Sequence, residues 1–416
     1  MKFSEGSIHE IAHASKSGWC VSELESPSLS AGSHACNALS ADAATNSAAF
    51  DISLVTDVVG LQAISAQCEL LAQQALEPNF FYEPTALIAA LKYLPPEHAM
   101  IVVVRHRSDG VTGIFPFQLE PKFRGLPLRS LKSLRHPYCF LCTPLVSALH
   151  ARGTVQAFLD WTEAKAAPAS IIELELVTND GPFWAVWTAE LKSRSQWQSH
   201  MAAYQRALFT PAMGVNTGVS RKHLKEFGRL RRRLNDVGDC RFLFWQPDEP
   251  IQPWLDKFLH LEASGWKGRK HTALASEEYS RRYFADIVIQ AAAHNSVQML
   301  AIEIDGMPIA MKCNFLANRG AFAFKIAYDE RYEKYSPGVL LELFNMDHLR
   351  NHCEGTQWID SCALPNHFMI NRLWTERRIV TTGVMASRGV AKWLVRNLPR
   401  YHQVRHFLMH WRKQRD

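Results

Sequence analysis

The chain has 416 residues, 47% of them hydrophobic and 21% charged, a balance that suits a soluble globular protein and excludes the fibrous and disordered classes. Its formal net charge is +6, and the segment RKHLKEFGRLRRR at 221–233, with seven Arg or Lys against one Glu, also sums to +6. The basicity is therefore one local stripe rather than a property of the whole surface.

The opening MKFSEGSIHE places Glu5 where a secretory signal needs its apolar core, and no stretch approaches the roughly 18 apolar residues of a membrane span. A cytoplasmic location is expected. Nine cysteines, an odd number without framework spacing, suit reduced thiols. Cys139 and Cys142 have CxxC spacing, but no second pair or local His cluster completes a zinc site, so they read as packing residues and no metal is expected.

In chain order, residues 1–48 form a Ser- and Ala-rich leader without periodicity. A first domain is expected over 50–210. In it DISLV reads as a strand, LQAISAQCELLAQQAL and TALIAALKYL as amphipathic helices, and MIVVVRH and GVTGIFPFQLE as strands. TVQAFLDWTEAK is a helix, IIELELV a strand, and PFWAVWTAELKSR a helix opened by Pro182.

Residues 218–238 read as a connecting helix in which Leu224, Phe227, Leu230 and Leu234 share one face. Its basic flank is either a solvated surface or a docking surface for phosphates. The same texture returns over 239–398, and a basic tail follows at 399–416. CRFLFWQ is a strand, PWLDKFLHLEASGW and SEEYSRRYFADIVIQAAAHN are helices, and VQMLAIEIDG with MPIAMKCNFLA is a hairpin turning at Asp305-Gly306. GAFAFKIAYDE is a strand, SPGVLLELFNMDHLRNH a helix, TQWIDSCA a strand, PNHFMINRLWTER a helix and RIVTTGVMA a last strand. Two α/β (α+β) units with one order of elements follow.

The junction KIAYDERYEKYSPGVLL passes from strand to helix through Ser336-Pro337-Gly338. Proline suits the first turn of a helix, and glycine leaves that turn bare, so free N–H groups and the positive end of the helix dipole can hold a phosphate. Simple capping without a ligand is the other reading.

The order of elements, with IAYDERYEKYSPGVLLELF at 326–344, LEASGWKGRKHTAL at 261–274 and WIDSCALPNHFMINRLWTERRI at 358–379, resembles the GNAT acyltransferases, in their CelD-like and Fem-like tandem form. The resemblance covers about 240–385 by motif and the first unit by architecture. It implies two tandem GNAT-like domains joined by the basic helix, and transfer of an acyl group from acyl-CoA, acetyl-CoA in the simplest case, whose pantetheine arm pairs with the strand before the junction. The donor site then falls on Lys334, Tyr335, Ser336, Pro337, Gly338 and Val339. Only Gly338 supplies a glycine there, and Pro337 removes one N–H from the cradle.

The resemblance implies as acceptor a sugar, a glycan precursor for polysaccharide biosynthesis or another small molecule, attacked directly on the thioester. Fem-like proteins use aminoacyl-tRNA, which makes tRNA the alternative donor. A non-catalytic module that binds nucleic acid or a partner is the rival of another class. Asp360, Asp329 and His367 are the candidate acids and bases, and Cys362 is a candidate nucleophile or a buried thiol. Glu262, Trp266, Lys267, Tyr328 and Arg372 are the candidate acceptor contacts, with Arg377 and Arg378 adding positive charge.

Overall fold

The computed structural model describes residues 49–211, 220–352 and 355–398. The leader at 1–48 and the tail at 399–416 lie outside the described residues. The first unit runs β1 (Phe50–Val55), α1 (Val58–Ala63), α2 (Ser65–Gln73), α3 (Pro84–Tyr93), β2 (Ala99–His106), β3 (Gly110–Glu120), β4 (Ser130–Ser133), a short β5 (Leu145–Val146), α4 (Ala151–Glu163), β6 (Ile171–Thr178), α5 (Pro182–Ser193) and β7 (Gln198–Phe209). After α6 (Arg221–Asn235) the second runs β8 (Cys240–Phe244), α7 (Gln252–Ser264), α8 (Trp266–Arg269), α9 (Glu278–Ala293), β9 (Val297–Ile304), β10 (Met307–Ala317), β11 (Gly320–Tyr328), α10 (Pro337–His352), β12 (Trp358–Asp360), α11 (Phe368–Leu373) and β13 (Glu376–Ala386).

Local signals account for many of these elements. Asp57 caps α1 by accepting from Gly60 N, Pro182 sits in the first turn of α5, and the β9–β10 turn has Asp305 at φ 50 and Gly306 at φ 78, as a two-residue hairpin requires. The helix read over LQAISAQCELLAQQAL is two helices, because Ile64 ends α1 with φ −114 and ψ 6 before α2 begins.

Twelve strands lie in the order β1-β2-β3-β4-β6-β13-β7-β12-β11-β10-β9-β8, with β5 attached to β3, as one 13-stranded sheet. Each unit is an antiparallel meander followed by one parallel neighbour, β4 with β6 in the first and β11 with β12 in the second. The closing strands are exchanged. β13, from the end of the chain, lies between β6 and β7 of the first unit, and β7 lies against β12 of the second. Strand β7 was not expected from QSHMAAYQRALF, which has no β-branched residue to give a strand signal; antiparallel ladders to β13 and β12 hold it instead.

Aromatic packing joins the units further. Phe80 stacks on Phe315 at 4.1 Å between centroids, and Phe81 meets Phe322 edge-on at 5.2 Å. The basic helix α6 buries Leu230 and Leu234 and packs Leu234 and Phe227 with residues of β9 and α10, so it covers the second unit's core.

Candidate active site

Strands β11 and β12 pair only from Gly320↔Trp358 to Phe322↔Asp360. Beyond Phe322, β11 runs on to Tyr328 with no strand on that side among the described residues. A strand edge left open in this way offers alternate backbone N–H and C=O groups. One is in use: the Ile326 carbonyl accepts from Lys267 Nζ at 2.8 Å. Because a strand residue points its N–H and C=O to the same side, Ile326 N–H faces the opening too.

The open edge leads into the junction. Asp329 begins a 3₁₀ turn over Glu330–Tyr335, and Ser336 ends it in the left-handed region at φ 52. Pro337 then opens α10 and has no N–H. Val339 and Leu340 both donate to Ser336 O, at 3.0 and 3.1 Å, so the free backbone donor of this first turn is Gly338 N–H. A Cβ on Gly338 would lie 3.7 Å from Tyr328 Cδ1, 3.8 Å from Met369 Sδ and 3.9 Å from Ile326 Cδ1. Those side chains surround the glycine at ordinary van der Waals distance, between the end of β11 and the start of α10.

Of the other donor-site candidates, Lys334 is exposed with Nζ 5.1 Å from the Tyr335 ring centre, and Val339 is half-buried. Tyr335 is a core residue, 8% exposed, with the Arg233 guanidinium of α6 5.8 Å from its ring centre. It packs under the cradle rather than lining it.

Asp360 is not placed to act as a base. It is fully buried, and its Oδ2 accepts from Arg206 Nη2 at 2.6 Å and Arg378 Nη1 at 3.0 Å while Oδ1 accepts from Cys362 N at 2.9 Å. Burial alone would raise its pKa, but the two guanidiniums and the Cys362 N–H outweigh that and hold the carboxyl below its usual range. Arg206 lies on β7 and Arg378 on β13, so Asp360 ties both exchanged strands to β12.

Asp329 is also engaged. It caps the 3₁₀ turn and pairs with Arg331 at 2.6 Å; the hydrogen bonds from Arg331 lower its pKa. His367 caps α11, its Nδ1 accepting from Ile370 N at 3.4 Å. Desolvation lowers its pKa, and its Nδ1 is taken up by the helix cap. The Cys362 thiol is driven well up by desolvation and by Asp360, the reverse of what a nucleophile needs.

Glu262 is 2% exposed, and its carboxylate is shared among Lys267 Nζ at 3.2 Å, Lys325 Nζ at 3.4 Å and Leu274 N at 2.8 Å. Lys325, Lys267 and the Leu274 N–H overcome desolvation and lower its pKa. It organises the 266–276 loop instead of reaching an acceptor. Trp266 N and Arg269 both bond Glu330, at 3.0 and 2.6 Å, which fastens this loop to the cradle turn. Trp266 itself is half-buried, with Lys270 Nζ 5.3 Å from its ring centre.

Arg372 is exposed and meets His223 of α6. Arg377 caps the end of α11 through Trp374 O at 2.6 Å, and Arg378 lies 3.9 Å from the Trp358 ring centre, so neither lends free charge to the opening. Tyr328 is half-buried at the end of β11.

Sequence reasoning missed Arg206, Lys325 and a second buried network in which Lys312 Nζ bonds Glu342 at 2.8 Å, Asn345 bonds Glu342 at 2.9 Å and Asn314 bonds Asn345 at 2.7 Å. The available signal was a single Lys inside each of the apolar strands MKCNFLA and FAFKIAY, which requires a buried anion opposite.

Residues 221–368 match the family model described as an acetyltransferase (GNAT) domain. Among solved structures, FemX superposes with a TM-score of 0.53 at 11% identity, covering 80% of this chain and 96% of that one. A conserved protein of unknown function from Bacteroides thetaiotaomicron superposes with a TM-score of 0.51 at 10% identity, covering 80% and 99%. No curated protein matches significantly. No helix among the described residues is long and apolar enough to cross a membrane. The open strand edge and the helix that starts beside it both lie within the segment that matches a GNAT acetyltransferase domain, and the chain as a whole shares the fold of FemX.

Proposed function

We propose that the chain transfers an acyl group from acyl-CoA, acetyl-CoA in the simplest case, to an amine or hydroxyl of a sugar, a glycan precursor or another small molecule. Cytoplasmic synthesis of polysaccharide precursors is the setting that fits this reading. The observation that carries it is the run of β11 beyond Phe322 that β12 leaves unpaired, which ends beside the glycine of the first turn of α10.

In this reading the pantetheine arm lies along β11. Gly338 N–H and the dipole of α10 receive the pyrophosphate, with Lys334 as an exposed cation beside them. The acceptor nitrogen or oxygen attacks the thioester carbon, and collapse of the adduct breaks the C–S bond and releases the thiolate. Ile326 N–H is available to the oxyanion. Since Asp360, Asp329 and His367 are all engaged elsewhere, orientation carries much of the acceleration and the acceptor's proton passes to solvent. Lys267, which holds Ile326 O, shares or yields that position when donor enters. The first unit shapes the acceptor side: Tyr138 bonds Ser280 at 2.8 Å, and its ring centre lies 5.3 Å from Lys325 Nζ.

One observation favours aminoacyl-tRNA as the second reading. The cradle has a single free N–H, and basic α6 packs beside it through Arg233 and Tyr335. Calorimetric titration with acetyl-CoA and longer acyl-CoAs tests the choice. Binding of a CoA ester supports the first reading. No CoA binding, together with tRNA binding that weakens steeply with salt, replaces it with the second, and binding of neither leaves the non-catalytic module.

A further inference from the structure

At the far side of the first unit, the β2–β3 hairpin and the start of α4 bring three ligand-type side chains together. His106 Nδ1 and His150 Nε2 lie 2.8 and 2.9 Å from the same oxygen, Asp109 Oδ2, and the three ligand atoms all lie within 4.8 Å of one another. The two imidazoles stack with centroids 4.5 Å apart and planes at 23°, and Phe50 of β1 packs on the His106 ring at 4.9 Å. Their nitrogens thus reach the carboxylate from a held pair of rings.

His150 Nε2 is buried, and Asp109 is the one partner near it among the described residues. The His150 side chain does not cap α4. Ser108 Oγ donates to Asp109 Oδ2 at 3.0 Å and lies 3.1 Å from His106 Nδ1, the position of an outer partner that orients a ligating carboxylate.

We propose that His106, Asp109 and His150 bind a divalent transition-metal ion of the zinc, cobalt and nickel class. Paired imidazoles select this class over magnesium and calcium, which take oxygen ligands. Two nitrogens and one carboxylate leave the fourth position of a tetrahedral ion to water. Bonds of about 2.0–2.2 Å set tetrahedral ligand atoms about 3.3 Å apart, so an ion enters as Asp109 moves outward by a few tenths of an ångström and the two imidazoles adjust to the same spacing. Asp109 is free to do this, since its side chain is 48% exposed at the hairpin tip while the histidines are 21% and 18% exposed. The bound ion would clamp the β2–β3 turn to α4, well separated in sheet order from the β11 opening.

The test uses the full chain, stripped with chelator and titrated with Co2+, with uptake read as metal per chain and as the visible absorption of tetrahedral cobalt. Asp109→Asn and His150→Gln are the comparison proteins. One sits on an exposed turn and the other alters a residue whose side chain caps nothing, and circular dichroism confirms that each is folded. The wild type is expected to take up one equivalent more than either variant, released by Zn2+. Equal uptake in all three proteins, at any stoichiometry, overturns the proposal and leaves the cluster as a carboxylate shared by two histidines.

Discussion

Replacing Asp360 by asparagine keeps the side chain's volume and removes the negative charge between two buried guanidiniums. Arg206 and Arg378 would keep some partners, since Arg206 Nη1 also donates to Phe140 O at 2.6 Å and Arg378 lies 3.9 Å from the Trp358 ring centre. Neither contact neutralises a cation. Removing one partner of a buried ion pair costs about 3–5 kcal/mol, and the remaining contacts point to the lower end. With about 2.1 cal/mol/K of unfolding entropy per residue, a 416-residue chain that melts as one unit shifts by about 1 °C per kcal/mol, so Asp360→Asn should melt about 3–4 °C below the wild type by circular dichroism. Below both transitions the variant should bind donor as the wild type does. A variant that melts within about 1 °C of the wild type refutes the reasoning, and if it has also lost activity, Asp360 returns to the chemistry.

The remaining predictions concern acid stability, the cradle and the acceptor-side loop. Asp360 and Glu262 both have lowered folded pKa values, so their stabilisation is present above the unfolded values of about 3.9 and 4.3 and is lost as pH falls through the folded ones. Urea unfolding from pH 6 to 2 should show the loss beginning near pH 4, with a shallower acid limb in Asp360→Asn. At Gly338, alanine fits, since its Cβ would have no neighbour closer than 3.7 Å, and Gly338→Ala should bind the donor much as the wild type does; Gly338→Phe covers the first turn of α10 and should abolish donor binding by calorimetry while the melting curve stays two-state. Equal binding by both variants would move the donor site elsewhere. Gly268→Ala would bring a Cβ to 1.8 Å from Ala263 O, so the turn must shift, at a cost of about 1–3 kcal/mol read by thermal melting.

Much of the fold was legible because its punctuation is local. Asp305-Gly306 states its turn, Pro182 its helix start and Ser336-Pro337-Gly338 the passage from strand to helix. The side-chain chemistry of the candidate site was much less legible. Asp360 stands at the end of its strand as expected, but Arg206 lies 154 residues away in the chain, and no spacing encodes such a pairing. Glu262 reads as a loop acid at a helix end, yet its character comes from Lys325 of β11, which the strand pattern hides inside apolar neighbours. Strand β7 was lost for a related reason, since its conformation is decided by the strands on either side of it.

The strand exchange bears on what the active unit is. The family match ends at residue 368, yet β12 has its second neighbour in β7 and the Asp360 cluster takes one arginine from β7 and one from β13. A fragment limited to 221–368 would keep the carboxylate and lose both cations. Its burial would then favour protonation, and the inner edge of β12 would stand unpaired. The opening beside β11 depends on where β12 ends, and β12 is held there by strands from both ends of the chain. The geometry around β11 is therefore a property of the whole exchanged sheet, and aromatic residues of the first unit, Phe80, Phe81 and Tyr138, pack against strands of the second.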